Sequence, residues 1–122
     1  MENIGTGAGN ANITFQINSI RILNFVFRRY NTTTGLYTDE DISTKTFSFF
    51  VKKNKGDRLK KFNLTLGSGI TIPVYSINQV RVAISAANAS LEEGEYVWEL
   101  RRTDLDAPYL SGLAYFVYDS PQ

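Results

Sequence analysis

The sequence predicts an all-β chain, an antiparallel β-sandwich of seven or eight short strands, and three observations carry that prediction. Large apolar residues recur every second position: Val80, Val82 and Ile84 alternate with Arg81, Ala83 and Ser85, and Tyr96, Trp98 and Leu100 alternate with Val97, Glu99 and Arg101. A period of two is the mark of a strand with one buried and one wet face. Turn-forming clusters such as Asn54-Lys-Gly-Asp57 and Gly67-Ser-Gly69 separate these runs. No segment sustains helical periodicity, and residues 86–93 hold one helical turn at most.

Taken in order, residues 1–11 are small, polar and glycine-rich, so alone they bury too little surface to offset their ordering entropy. They are expected to form a flexible N-terminal arm ahead of a β-sandwich domain over residues 12–122, and to be available for ordering against a neighbouring subunit. Gly5-Thr-Gly-Ala-Gly9 has no preceding strand, following helix or P-loop lysine, which argues against a nucleotide loop. Residues 13–29 read as one long bent strand or two short ones, interrupted at Asn18-Ser19. There Leu23, Phe25 and Phe27 face one way and Ile20, Ile22 and Val26 the other, which reads either as a hint of a partner surface or as a central strand partly covered by the arm or a loop.

Residues 30–45 lack a periodic apolar face and read as a long surface loop. Its Asp39, Glu40 and Asp41 do not match the spacing of an EF-hand, and a solvated acidic run is the commoner meaning. Residues 46–53 form the next strand, with Phe47, Phe49 and Val51 inward and Phe50 opposite. Residues 59–66 return with Phe62, Leu64 and Leu66 on one face, completing a hairpin. Ile70, Ile72 and Val74 alternate around Pro73, which lacks the donor of a central strand and makes this segment short or an edge. Between the two strands of the opening pattern, Leu91 is the one large apolar residue of the link and is expected to dip into the core, while Gly94 turns the chain. A turn over residues 104–108 leads to a last strand over residues 109–118.

At 122 residues the chain fits one domain, which buries roughly two-thirds of its unfolded surface. It contains no cysteine and no histidine, which removes disulfides, thiolate chemistry, the commonest general base and every His-dependent triad. The acidic residues offer one carboxylate pairing, Glu92, Glu93 and Glu95 against Asp104 and Asp106. These groups sit at opposite ends of a strand of about 26 Å, too far apart for a glycosidase pair. The expectation is a protein that is not an enzyme and uses no cofactor or metal. Thirteen basic against twelve acidic residues leave a net charge of +1, no global field for nucleic acid or an anionic membrane. No apolar run approaches the roughly 20 residues of a membrane span, and the first residues lack the regions of a signal peptide.

The densest charge cluster, and the candidate interface, is Lys52, Lys53, Lys55, Arg58, Lys60 and Lys61, opposed locally by Asp57 alone. It reads either as a contact for an anionic partner or as solubility and edge protection, because lysines on a hairpin discourage edge-to-edge pairing. Seven Tyr, eight Phe and one Trp mostly fall at core parity, which favours packing over a sugar-stacking platform.

Gly69-Ile-Thr-Ile72, the alternation from Val80 to Ile84, Leu91-Glu-Glu-Gly94-Glu-Tyr96 and Leu110-Ser-Gly112 occur in the order of a domain seen in bacteriophage structural proteins. Over roughly residues 15–119 the chain resembles the immunoglobulin-like N-terminal domain of phage upper baseplate and tail proteins. The resemblance implies an immunoglobulin-like sandwich in which Leu91 plugs the core, Gly94 turns the chain and Tyr96 clasps the corner. It further implies a non-enzymatic component of a virion, in the tail, the baseplate or another attachment, made in the host cytoplasm. Its partners would be other virion proteins, in a homo-oligomer or a hetero-assembly. The alternative is a carbohydrate- or anion-binding module, such as a head-decorating or host-surface-binding domain.

Overall fold

The structure is a computed structural model and describes residues 2–5, 11–74, 77–103 and 107–118. Its strands are β1 (Glu2–Gly5), β2 (Ile13–Gln16), β3 (Arg21–Val26), β4 (Arg28–Asn31), β5 (Leu36–Asp39), β6 (Phe47–Lys52), β7 (Phe62–Leu66), β8 (Gly69–Thr71), β9 (Gln79–Ile84), β10 (Gly94–Arg102) and β11 (Ala107–Val117). The chain is all-β, with no helix among the described residues. Nine strands join in one sheet, in the order β1-β3-β9-β8-β7-β6-β10-β11-β2, which curls nearly closed into a barrel. The pair β4-β5 stands apart as a two-stranded ribbon.

Side-chain parity explains the curl. Leu23 and Phe25 of β3, Val80, Val82 and Ile84 of β9, Phe47, Phe49 and Val51 of β6 and Trp98 and Leu100 of β10 are all essentially inaccessible and share one interior. Aromatic rings cross that interior: Phe25 meets Trp98 at 5.7 Å and Phe49 at 6.3 Å, and Phe27 meets Phe47 at 5.7 Å. The aromatic residues at core parity therefore bring facing parts of the sheet together.

Four features differ from the sequence expectation. The sheet is mixed rather than antiparallel, because β1 with β3, β7 with β8 and β11 with β2 run parallel. Two of these ladders join an N-terminal strand to a distant partner, and such long-range pairing leaves no local pattern. The described residues form eleven strands rather than seven or eight. Within the segment expected to be an arm, Glu2–Gly5 lies in register with Leu23–Val26 as β1. Residues 30–45 are not simply a loop: β4 and β5 pair from Arg28↔Asp39 to Asn31↔Leu36.

That ribbon turns on Asn31, whose Oδ1 accepts the N–H groups of Thr33 and Thr34, and on Gly35 at φ 71°. All four residues of β5, Leu36 and Tyr37 among them, are exposed, so that strand has no buried face to generate alternation. Just beyond it, Ile42 is 1% exposed and anchors the segment to the core.

Elsewhere the strands stand close to where alternation puts them. Residues 13–29 are broken into β2 and β3 at Asn18, at φ 65°, and their last two residues open β4. Leu59 is exposed outside β7, Leu66 at its end is also exposed, and β8 stops before Pro73. Although short, β8 is central, lying between β7 and β9. The link after β9 closes with Ala89 N–H donating to Ser85 O at 3.0 Å, a single helical turn. Ala89 is fully buried there, whereas Leu91 packs on the core but stays partly exposed.

Candidate functional site

The lysine-rich hairpin joins β6 to β7, and its turn is closed by Asp57. Asn54 N–H donates to Asp57 Oδ2 at 3.0 Å and Asp57 N–H to Asn54 O at 3.1 Å. The six cations do not converge on one point. Lys52 and Lys60 bracket the outward ring of Phe50, with Nζ at 5.0 and 4.4 Å from its centroid, and Phe50 is consequently buried although it lies on the outer face. Lys53 donates to Glu95 O at 3.0 Å and lies 4.5 Å over the Tyr96 ring. Arg58, Lys60 and Lys61, with Lys53, line an open cavity of about 550 Å³. Lys55 turns instead toward a groove on the outer face of the sheet.

Tyr96, at the start of β10, donates its hydroxyl to Glu92 O at 2.7 Å and meets Phe116 edge-on at 5.1 Å. The bond spans the turn that contains Gly94, at φ 155°, and Leu91 in the same link packs on the core while staying partly exposed. Burial, reinforced by the nearby Glu92 carboxylate, holds the Tyr96 hydroxyl protonated above the usual tyrosine range. The unfolded chain releases this proton near pH 10, before the folded one does. The contribution of Tyr96 is therefore complete below about pH 10 and is lost as pH rises through the folded value. Urea midpoints taken from pH 8 to 11 should fall more steeply for the natural protein than for Tyr96→Phe. Parallel curves would place the titration elsewhere.

The acidic run lies on and after β5. Asp41 Oδ1 accepts both the N–H and the hydroxyl of Ser43, which holds its carboxyl below the usual range. Asp39, Glu40 and Asp41 share a cavity of about 330 Å³ with Lys45 and Arg102. No three carboxylates converge as a metal site among the described residues. Asp104 and Asp106, the distant half of the carboxylate pairing, lie outside the described residues.

Two surfaces went unnoticed in the sequence. The first is a groove of about 410 Å³ across the outer face of β6, β10 and β11. Its rows follow from register: Lys52 faces Val97 and Val97 faces Leu113, while Phe50 faces Glu99 and Glu99 faces Ser111. Arg101 donates from Nη1 to Glu99 Oε1 at 2.8 Å, and Asn12 Oδ1 accepts from Leu113 N–H at 3.3 Å, which fixes both polar side chains at the groove. Periodicity places each of these residues on a face of its own strand; only knowledge of which strands neighbour which brings them together.

The second surface is the outer edge of β2, which has a hydrogen-bonded strand on one side only among the described residues. Ala11 N–H donates to Ser111 O and Ile17 N–H to Val117 O, so odd-numbered residues face β11 and the N–H of Thr14 points to the open side. Arg21 Nη1 donates to Thr14 O at 2.8 Å and its guanidinium lies over Phe15. Beside this edge is a cavity of about 310 Å³ whose wall includes Ile20, 72% exposed. Compared with known protein families and with curated protein sequences, the chain matches none of them.

Proposed function

We propose that this chain is a non-enzymatic structural component of a bacteriophage virion, a protein–protein assembly module that joins its neighbours by strand addition along β2. The observation that carries the assembly reading is the edge of β2, which has a strand on one side only among the described residues: an outward N–H at Thr14, the exposed side chains of Thr14 and Gln16 and the apolar Ile20 beside them. An edge of this kind is a template for another strand, with backbone bonds supplying affinity and the adjacent side-chain pocket supplying selectivity. The virion assignment rests on the resemblance to phage tail and baseplate domains, and it implies other virion proteins or further copies of the chain as partners. In this reading the nearly closed sheet is a variant of the immunoglobulin-like sandwich. The Tyr96 hydroxyl bonded to Glu92 O and the buried Trp98 support it, as such domains use a tyrosine corner and a core tryptophan.

Thr14→Pro tests the edge. Its N–H makes no bond to β11, so proline removes nothing from the fold's own ladder but blocks an incoming strand. The natural protein should self-associate at high concentration in size-exclusion chromatography with light scattering, and Thr14→Pro should remain folded by circular dichroism yet elute as a monomer. Ile20→Ser, at an exposed site, should weaken association in the same direction. A natural protein that stays monomeric, or a Thr14→Pro variant that associates unchanged, would sink this reading.

A further inference from the structure

We infer that the groove on the outer face of β6, β10 and β11 is a binding site for an acidic sugar, a function separate from assembly along β2. Its volume, about 410 Å³, falls within the range of roughly 300–1,000 Å³ that small-ligand sites occupy. The lining divides into three kinds of chemistry in a fixed order. Val97 and Leu113, direct cross-strand neighbours and both half-buried, form an aliphatic floor. Lys52 and Lys55 bring two ammonium groups to the groove. Glu99 lies one row along, opposite Ser111, with its carboxylate oriented by Arg101 at 2.8 Å.

Each part excludes simpler ligands. Two lysines beside an apolar floor favour an anion with an apolar face, whereas an oriented carboxylate and a serine hydroxyl favour a ligand rich in hydroxyl donors. A hexuronic acid unites these demands in one ring. Its carboxylate meets Lys52 and Lys55, its C–H face lies on Val97 and Leu113, and its hydroxyls donate to Glu99. An acidic peptide would satisfy the lysines but would bring its own negative charge against Glu99 without hydroxyls to offset it. The Phe50 ring takes no part as a stacking surface, because Lys52 and Lys60 already cover it. The sequence cluster of six cations thus separates by position: Lys52 and Lys55 line the groove, and Arg58 and Lys61 line the separate cavity at the hairpin.

The test is a titration followed by amide chemical shifts, with a tetrasaccharide of alternating glucuronic acid and N-acetylglucosamine as probe. The neutral chitotetraose and a tetraglutamate peptide are the comparisons. The acidic tetrasaccharide should shift the amides around Val97, Glu99 and Leu113, with neither comparison binding within tenfold of it. Lys52→Ser with Lys55→Ser should weaken binding at least tenfold, and Arg58→Ser with Lys61→Ser should leave it unchanged. Glu99→Gln discriminates most sharply: it should weaken binding if Glu99 accepts sugar hydroxyls and strengthen it if the site merely attracts anions. An unchanged thermal midpoint for each variant keeps the comparison to binding. Saturating shifts absent at millimolar probe, equal binding of chitotetraose or tetraglutamate, or tighter binding by Glu99→Gln would each overturn the assignment.

Discussion

Gly112→Ala is expected to lower stability by about 2–4 kcal/mol, a large effect for adding one methyl group. A Cβ on Gly112 would collide with Ala11 O and lie 2.9 Å from Trp98 Nε1. No side-chain rotation relieves the first of these contacts, because the obstructing atom belongs to the backbone. Ala11 must therefore move, and it is tied there twice: its N–H donates to Ser111 O at 3.1 Å, and its carbonyl accepts the indole N–H of Trp98 at 2.9 Å. Trp98 is 1% exposed, so displacing Ala11 strands a buried donor in the core. Because the chain has one tryptophan, its fluorescence during urea unfolding reports on this residue alone. Trp98→Phe removes the same hydrogen bond from the other side, so the double variant, followed by circular dichroism, should cost clearly less than the sum of the two. Additive losses, or a Gly112→Ala midpoint equal to that of the natural protein, would mean that the chain before β2 is not locked beneath β11.

This lock shows where the sequence was legible and where it was not. The alternation of Val80, Val82 and Ile84, and of Tyr96, Trp98 and Leu100, placed β9 and β10 because each strand has one fully buried face. Strand β5 has no buried face, so the physical cause of alternation is missing there and the segment read as a loop. Gly112 stood in the sequence as part of Leu110-Ser-Gly112, but its need for a missing side chain arises from Ala11, a hundred residues away. The parallel ladder of β11 with β2 was equally hidden, since its register depends on both ends of the chain meeting. In the link after β9, size misled: Leu91 was the obvious plug, yet the small Ala89 fits the fully buried position and leaves the leucine at the margin. The same limit governed the sites. Lysines close in sequence were noticed as a cluster, but the structure divides them between two surfaces, while Val97, Glu99 and Leu113 acquire meaning only from strand order.

Phe25→Ala is the second large expected effect, about 3–5 kcal/mol in urea unfolding. Many core phenylalanines would lose the same transfer energy; Phe25 is distinguished by what it joins. It stands on β3, and its ring meets Trp98 of β10 at 5.7 Å and Phe49 of β6 at 6.3 Å, both tilted. In the order of the sheet, β3 lies near one end, and β9, β8 and β7 intervene before β6 is reached. The contact therefore crosses the interior rather than running along a ladder, and it draws the part of the sheet built on β1, β3 and β9 onto the part built on β6 and β10. Aromatic pairs of this geometry are worth roughly 0.5–1.5 kcal/mol each beyond area burial, so losing two of them adds to the cavity left by the ring. Phe25→Leu keeps most of the volume but neither pair, and should lose distinctly less than Phe25→Ala. An alanine variant within about 1 kcal/mol of the natural protein, at unchanged dependence on urea, would show that the hydrogen-bonded ladders alone close the barrel.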